Sequence, residues 1–196
     1  MSVTDRRLRE RAQRHDLIIA AARELAEAEG WEAVTTRRLA ALVEYSQPVL
    51  YSHFDGKDAI VRAVAIEGFA DLAVRLGQAR SGADEPGPAL RAVCEAYLAF
   101  AAAQPALYQA MFVLPIDVKF ASGDTPSPLK AAFAELVSAL KPFDRHPDLR
   151  AEVTWAALHG LAVLRRGGRI PLDGQEARID LLVSQIVNDR GDLPVR

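Results

Sequence analysis

The chain has 196 residues, half of them hydrophobic and 26% charged, with a formal net charge of −2. That is the ordinary balance of a soluble globular protein large enough to bury a sizeable core. It excludes a polycation, so any nucleic-acid contact must rest on locally concentrated positive residues. Cys94 is the single cysteine, which excludes an intrachain disulfide and a thiolate zinc cluster and fits a reduced, cytoplasmic setting. The N-terminus has no apolar signal core and no stretch of 18 apolar, uncharged residues occurs, so neither an export signal nor a membrane span is expected.

Ala and Leu are abundant and β-branched runs scarce, which favours helix. A first helix is expected from about Thr4 or Asp5 to Glu29, with Ile18, Ala21, Ala22, Leu25 and Ala28 at helical spacing. Its start concentrates Arg6, Arg7, Arg9, Arg11 and Arg14 against only Asp5 and Glu10, a candidate flexible arm toward a phosphate backbone or minor groove. Gly30 is expected as a left-handed C-cap. Thr35 or Thr36 caps a second helix, Arg37 to about Val43. Ser46 caps a third, with Pro48 in its first turn, where a missing N–H costs little. Asp55-Gly56 breaks the chain, and a fourth helix runs from near Lys57 to about Leu76. Ser81–Pro88 reads as a linker. A helix over Ala89–Ala103 and a short one from Pro105 to about Val113 follow. Leu114–Pro128 reads as a loop, Leu129–Leu140 as a helix, and Pro147 to about Arg166 as a helix apolar on more than one side. Gly167-Gly168 ends it, and a last helix spans about Gln175–Asn188. No strands are expected: the fold class is all-α.

Two short helices joined by a tight turn, over Thr35–Lys57, suit the DNA major groove. Thr36-Arg37-Arg38-Leu39-Ala40, then Gln47-Pro48-Val49-Leu50-Tyr51-Ser52-His53-Phe54 and Lys57, resemble the N-terminal domain of the TetR family of transcriptional repressors. The resemblance runs from about Leu17 to Ala70. It departs from the family at Glu44, where Gly is usual, and Glu at φ > 0 implies a strained or differently shaped turn. The resemblance implies a three-helix helix-turn-helix domain over 1–58, a connecting helix over 59–80 and a helical effector-binding and dimerisation domain over 88–196.

The chemistry of each residue suggests its role. Gln47 can pair with an adenine edge, and Pro48 and Val49 offer apolar contact to a thymine methyl. Tyr51, Ser52 and His53 would meet phosphates, and Thr36 and Arg37 the backbone or a groove-edge guanine. Ser46 opens the helix, and Lys57 adds charge where a helix start attracts phosphate. Structural alternatives stand beside these: Tyr51 as a half-buried core residue, His53 as a cap, the arginine run as a solvated arm. Leu50 and Phe54 read as core. Residues 1–60 hold nine Arg or Lys and ten Asp or Glu, so Glu24, Glu27, Glu29 and Glu32 are expected away from DNA.

Trp155–Leu164, with His159 and Gly160, resembles the WHG-type C-terminal domain of part of the TetR family. That resemblance, and the two-sided apolarity of the helix, imply a homodimer through helices of about 148–166 and 175–188. A ligand cavity would draw on Tyr97, Phe100, Tyr108, Met111, Phe112, Phe133, Trp155 and His159, although aromatic side chains at helical spacing also read as plain core. No GxSxG, HExxH, phosphate loop or dinucleotide fingerprint occurs, and His15, His53, His146 and His159 lack metal-ligand spacing. No catalytic residue, metal or cofactor is therefore expected. The sequence supports a ligand-responsive regulator that binds a palindromic double-stranded DNA operator as a homodimer and is released by a small apolar or amphipathic effector. The alternative is a helical adaptor, or a regulator without a small-molecule ligand.

Overall fold

The computed structural model describes residues 3–115 and 122–189. The expected 114–128 loop and the outer ends of the expected 1–58 and 88–196 domains fall partly outside them. Among the described residues there is no strand, and the fold is all-α: α1 Val3–Glu29, α2 Thr36–Leu42, α3 Gln47–Tyr51, α4 Gly56–Ser81, α5 Pro86–Ala103, α6 Pro105–Phe112, α7 Ser127–Leu140, α8 Pro147–Arg166 and α9 Gln175–Asn188. No helix among them is long and apolar enough to cross a membrane.

The termini follow from local chemistry. The Thr35 side chain accepts a hydrogen bond from the Arg38 amide at 3.2 Å, so Thr35 is the N-cap of α2. Ser46 stands at the N-cap position of α3 without a side-chain capping bond, and Pro48 occupies the first turn. Pro86 and Pro88, composition signals for a loop, lie instead in the first turn of α5, where the lost N–H has no helical partner to forfeit. The linker is thereby shorter than Ser81–Pro88. Gly30 is not a left-handed cap: φ 83 with ψ 164 lies in a region open essentially to glycine alone. It turns the chain into a 3-10 turn, Trp31–Ala33, which periodicity does not reveal.

The chain divides into two compact units: 1–68 with 104–122, and 69–103 with 123–196. The division falls inside α4, and α6 belongs to the first unit, unlike the expected grouping of 88–196 as one body. In the first unit Ile18, Ile19, Ala22, Leu39, Leu50, Phe54 and Ile60 are buried. Two residues of α1, one turn apart, and Trp31 of the 3-10 turn fasten the start of α6. Arg23 donates to the Gln104 side-chain carbonyl. The Glu27 carboxylate accepts from the amides of Ala106 and Leu107 at 3.1 and 2.9 Å, satisfying orphan donors of that helix. The Trp31 indole N–H donates to the Ala106 carbonyl at 2.7 Å. Gly68 lets α6 approach closely, since a Cβ there would stand 2.7 Å from Met111 Sδ.

In the second unit α5 packs against α7, α8 and α9. Leu90, Val93, Leu136, Leu140, Ala151, Leu158, Ile179 and Ile186 are buried there. Burial pushes the Cys94 thiol up to about 12, so it stays protonated and inert. The start of α8 is pinned by Asp144, whose carboxylate accepts from the His146 amide at 2.8 Å and from Arg150 Nε at 2.6 Å. These bonds hold that carboxyl below its ordinary range.

Candidate nucleic-acid interface

The turn between α2 and α3 settles how the two helices are set. Glu44 takes φ 56. The Tyr45 amide donates to the Ala40 carbonyl at 2.9 Å, and the Glu44 amide to the Ala41 carbonyl at 3.3 Å. This pair of bonds is the Schellman closure of a helix C-terminus, which requires a left-handed residue at the position of Glu44. Of the two expectations for Glu44, strain is the one realised: the turn keeps its glycine geometry and carries a glutamate in it, at roughly 1–2 kcal/mol.

With that turn closed, Leu50 and Phe54 go inward and the opposite side of α3 is exposed. Gln47, Pro48, Tyr51 and Ser52 are exposed and Val49 half-buried. The Tyr51 ring is 53% exposed, which sets aside the half-buried alternative. Its hydroxyl lies 3.4 Å from Thr36 Oγ1, bringing the first turn of α2 and the end of α3 onto one face. Arg37 is exposed on that turn with no hydrogen bond or ion pair among the described residues. Its neighbour Arg38 is spent on a two-pronged pair with Glu29, at 2.9 and 2.7 Å. Sequence alone does not separate these two arginines; the Glu29 pair does.

Three expected residues are placed otherwise. Ser52 Oγ donates back to the Val49 carbonyl at 2.6 Å, closing the last turn of α3. His53 is half-buried against α1, 6.5 Å from the His15 ring, with Nδ1 buried and without a hydrogen-bond partner. Burial first, then Arg11, His15 and Arg14, lower its affinity for a proton. It is therefore a neutral, inward-leaning group. Lys57 Nζ donates to the Trp31 carbonyl at 2.6 Å, tying α4 to the 3-10 turn.

The arginine run is helical. Residues from Val3 onward are the first turns of α1, so no arm stands free of the fold over that stretch. Arg11 Nη2 donates to the Ser52 carbonyl at 2.9 Å. Arg14 lies over the Tyr45 ring at 6.0 Å, and His15 stacks on Phe54 at 4.5 Å. Sequence reading missed Arg11 and Arg14 as braces of α3. Their signal was their spacing with Ile18, which continues the buried face of α1 toward its start.

The residues expected around an effector fall in different units. Tyr97, Phe100, Phe133, Trp155 and His159 lie in the second; Tyr108, Met111 and Phe112, on α6, lie in the first. In the second unit the Trp155 indole N–H donates to Tyr97 Oη at 3.0 Å, and the Phe133 ring meets Trp155 edge-on at 6.5 Å. Phe100 is buried beneath the Arg75 guanidinium. His159 is half-buried, and burial and Arg166 lower its proton affinity. A cavity lined by Leu98, Leu161, Arg165, Ile170, Gln175 and Arg178 measures ≈ 10 Å³, scarcely room for one water. In the first unit the Tyr108 and Phe112 rings meet tilted at 4.7 Å, and Tyr108 and Met111 are buried. No cluster of acidic, His or Cys side chains among the described residues could hold a metal ion.

Comparison with known proteins assigns the whole arrangement. Residues 18–64 match the family model of bacterial regulatory proteins of the tetR family. Residues 90–187, which include the Trp155–Leu164 fragment, match that of the tetracyclin repressor-like C-terminal domain. An uncharacterised HTH-type transcriptional regulator of Mycobacterium tuberculosis, Rv0681, is 28% identical over 146 residues, which are 71% of this chain and 64% of that protein. The chain thus spans less than two thirds of that relative. A protein of unknown function from Rhodococcus sp. RHA1 superposes with a TM-score of 0.71 at 24% identity, over 89% of this chain and 93% of that one. A TetR of Acinetobacter baumannii in complex with minocycline has a TM-score of 0.59 at 18% identity, over 87% and 90% of the two chains. Two family models cover most of the chain, and the helix-turn-helix they predict stands in the structure with its exposed face intact: the chain belongs to the TetR family of DNA-binding transcriptional regulators, not to an enzyme family.

Proposed function

We propose that the protein is a repressor that binds a palindromic operator as a homodimer and is released by a small apolar or amphipathic effector. The observation that carries the reading is the face shared by α2 and α3, where Gln47, Pro48 and Tyr51 are exposed beside Thr36 and Arg37. Gln47 carries the donor–acceptor pair that matches adenine in the major groove. Val49 and Pro48 supply apolar contact. Thr36, Arg37 and Tyr51 fix the protein on phosphates, and Ser46 sits at the entry to the helix. Ser52 and Lys57 support this face through the bonds described above, His53 by packing toward His15, and Lys57 retains two further ammonium hydrogens for a phosphate. As a regulator of bacterial type, the protein works in the cytoplasm.

The dimer reading is supported by α8 and α9. Leu149, Val153 and Leu164 are exposed along α8, Val153 by 63%, and Leu181 on α9 by 60%. A Cβ at Gly160 would meet nothing within 4 Å, so another helix can approach there. A palindromic operator needs such a twofold pairing to place two recognition helices about one helical turn apart.

For the effector, the Tyr97–Trp155–Phe133 cluster, with His159 on the same helix as Trp155, offers aromatic surface and polar anchors in the second unit. The repressor of known structure with minocycline bound supports an effector of that general size. The Trp155 indole N–H, already satisfied by Tyr97 Oη, favours a second reading, a regulator that answers to no small molecule.

Selection from random duplex DNA tests the main reading. Enrichment of a palindrome with half-sites about one helical turn apart is the expected result; salt-sensitive binding without enrichment overturns sequence-specific repression. A library of apolar and amphipathic compounds that leaves both the melting temperature and operator affinity unmoved would favour the ligand-free reading.

A further inference from the structure

The start of α1 runs past the helix-turn-helix. Ile18 and Ile19 are buried, while every described side chain from Thr4 to Arg14 is exposed. Turning 100° per residue, the buried face of α1 continues toward the N-terminus through His15, Arg14, Arg11, Leu8, Arg7 and Thr4. The acidic groups lie elsewhere: Asp5 and Asp16 fall on the opposite side, and Glu10, on the flank, is paired with Arg6 at 3.6 Å. The face that looks toward α3 is therefore basic, although residues 1–60 as a whole are slightly acidic.

This face has a fixed position. Arg11 Nη2 holds the Ser52 carbonyl at 2.9 Å, at the C-terminal end of α3, and Arg14 lies over Tyr45 just before its start. Arg7 comes one turn beyond Arg11 and has no hydrogen bond or ion pair among the described residues. At 1.5 Å per residue, α1 projects roughly 10 Å beyond Arg11.

We propose that the first turns of α1 form a second DNA-backbone site, in which Arg7 contacts a phosphate of the duplex flanking the half-site and Arg11 and Arg14 extend the positive track from α3 to it. Arg7 stands four residues, roughly 6 Å, beyond Arg11, about two base steps along one strand, so the contact lies about two base pairs outside the sequence read by α3. The site carries no base preference; it lengthens the footprint and raises the salt dependence. It rests on the DNA-binding reading of α2 and α3.

The experiment uses the full chain, the selected palindrome and two duplexes, one ending at the palindrome and one carrying six further base pairs on each side. Arg7→Ala touches no internal contact and leaves the fold intact, which an unchanged melting temperature checks. On the long duplex it should weaken binding several-fold per half-site and make the plot of log affinity against log salt shallower by about 0.9 for each lost phosphate contact. Arg7→Lys should restore most of the loss. On the short duplex wild type and Arg7→Ala should bind equally. Hydroxyl-radical protection should reach about two base pairs past the palindrome in wild type and retreat in the variant. If wild type selects a palindrome but Arg7→Ala changes neither slope nor footprint, the α1 site is overturned and the regulator reading stands. If wild type selects no sequence, the regulator reading has failed first.

Discussion

Helices α3 and α8 both bury one side and expose the other, yet the exposed sides are chemically opposite. α3 shows Gln47 and Tyr51 around a single proline. α8 shows Leu149, Val153 and Leu164 with an open glycine among them. A five-residue helix of amide and hydroxyl groups gains little by leaving water, so what it offers a partner is hydrogen-bond pattern. An apolar stripe four turns long gains about 25 cal/mol for each Å² it buries and specifies little beyond shape. The difference in polarity is what supports the two proposals, DNA for α3 and a second copy of the chain for α8.

The strongest break of this contrast is a charge on the apolar stripe. Val153→Glu should dissociate the dimer and weaken operator binding on the order of 100-fold or more, because a carboxylate buried without a partner costs several kcal/mol. Sedimentation velocity with an operator titration checks it, and a variant that stays dimeric removes α8 from the interface. On the polar side the effect is smaller and sequence-dependent. Gln47→Ala should cost about 1–3 kcal/mol on the selected operator and little on a duplex altered at the base it reads; equal loss on both would make Gln47 a mere backbone contact.

Smaller still is the turn that sets α3. Glu44→Gly should stabilise the fold by about 1 kcal/mol, since it relieves the left-handed strain at the cost of a freer unfolded chain, raising the melting temperature by about 2–4 °C. A fall would mean that the Glu44 side chain contributes more than its backbone costs. The least effect is a pH dependence. His53 and His159 both hold protons more weakly in the fold than the ordinary value of 6.5. The unfolded chain therefore binds more protons below that pH, so their contribution is complete above it and is lost as pH falls. His53→Gln should make the melting temperature decline less steeply below pH 6.5, and an unchanged slope would assign the dependence elsewhere.

Much of this was legible because it depends on neighbours in sequence. The Thr35 cap, Pro48 in the first turn of α3 and the paired apolar positions Leu50 and Phe54 are local rules, and the helices stand close to where those rules put them. The left-handed Glu44 was legible as a conflict between a residue and its position. What was not legible depends on contacts far along the chain. Periodicity shows that α6 has an apolar face but not which neighbour covers it, so its place beside α1 needed the Glu27 and Trp31 bonds. Lys57 reads as a phosphate ligand because it is a cation at a helix start, and only the Trp31 carbonyl shows its other task. The arginines of α1 were read as an arm because exposed charge and disorder look alike in composition; their spacing with Ile18 held the helical answer.

The capping of α6 by Glu27 has a consequence for how the protein is made. The first compact unit is assembled from two stretches of chain with residues 69–103 between them. During synthesis α1 to α3 emerge first, at roughly 5–20 residues per second, but the amides that satisfy the Glu27 carboxylate and the carbonyl that receives the Trp31 indole are not yet translated. The DNA-reading part is thus completed only after α5 has left the ribosome. A fragment ending at Ser81 carries every residue proposed to face DNA and lacks the segment that takes the Glu27 and Trp31 bonds.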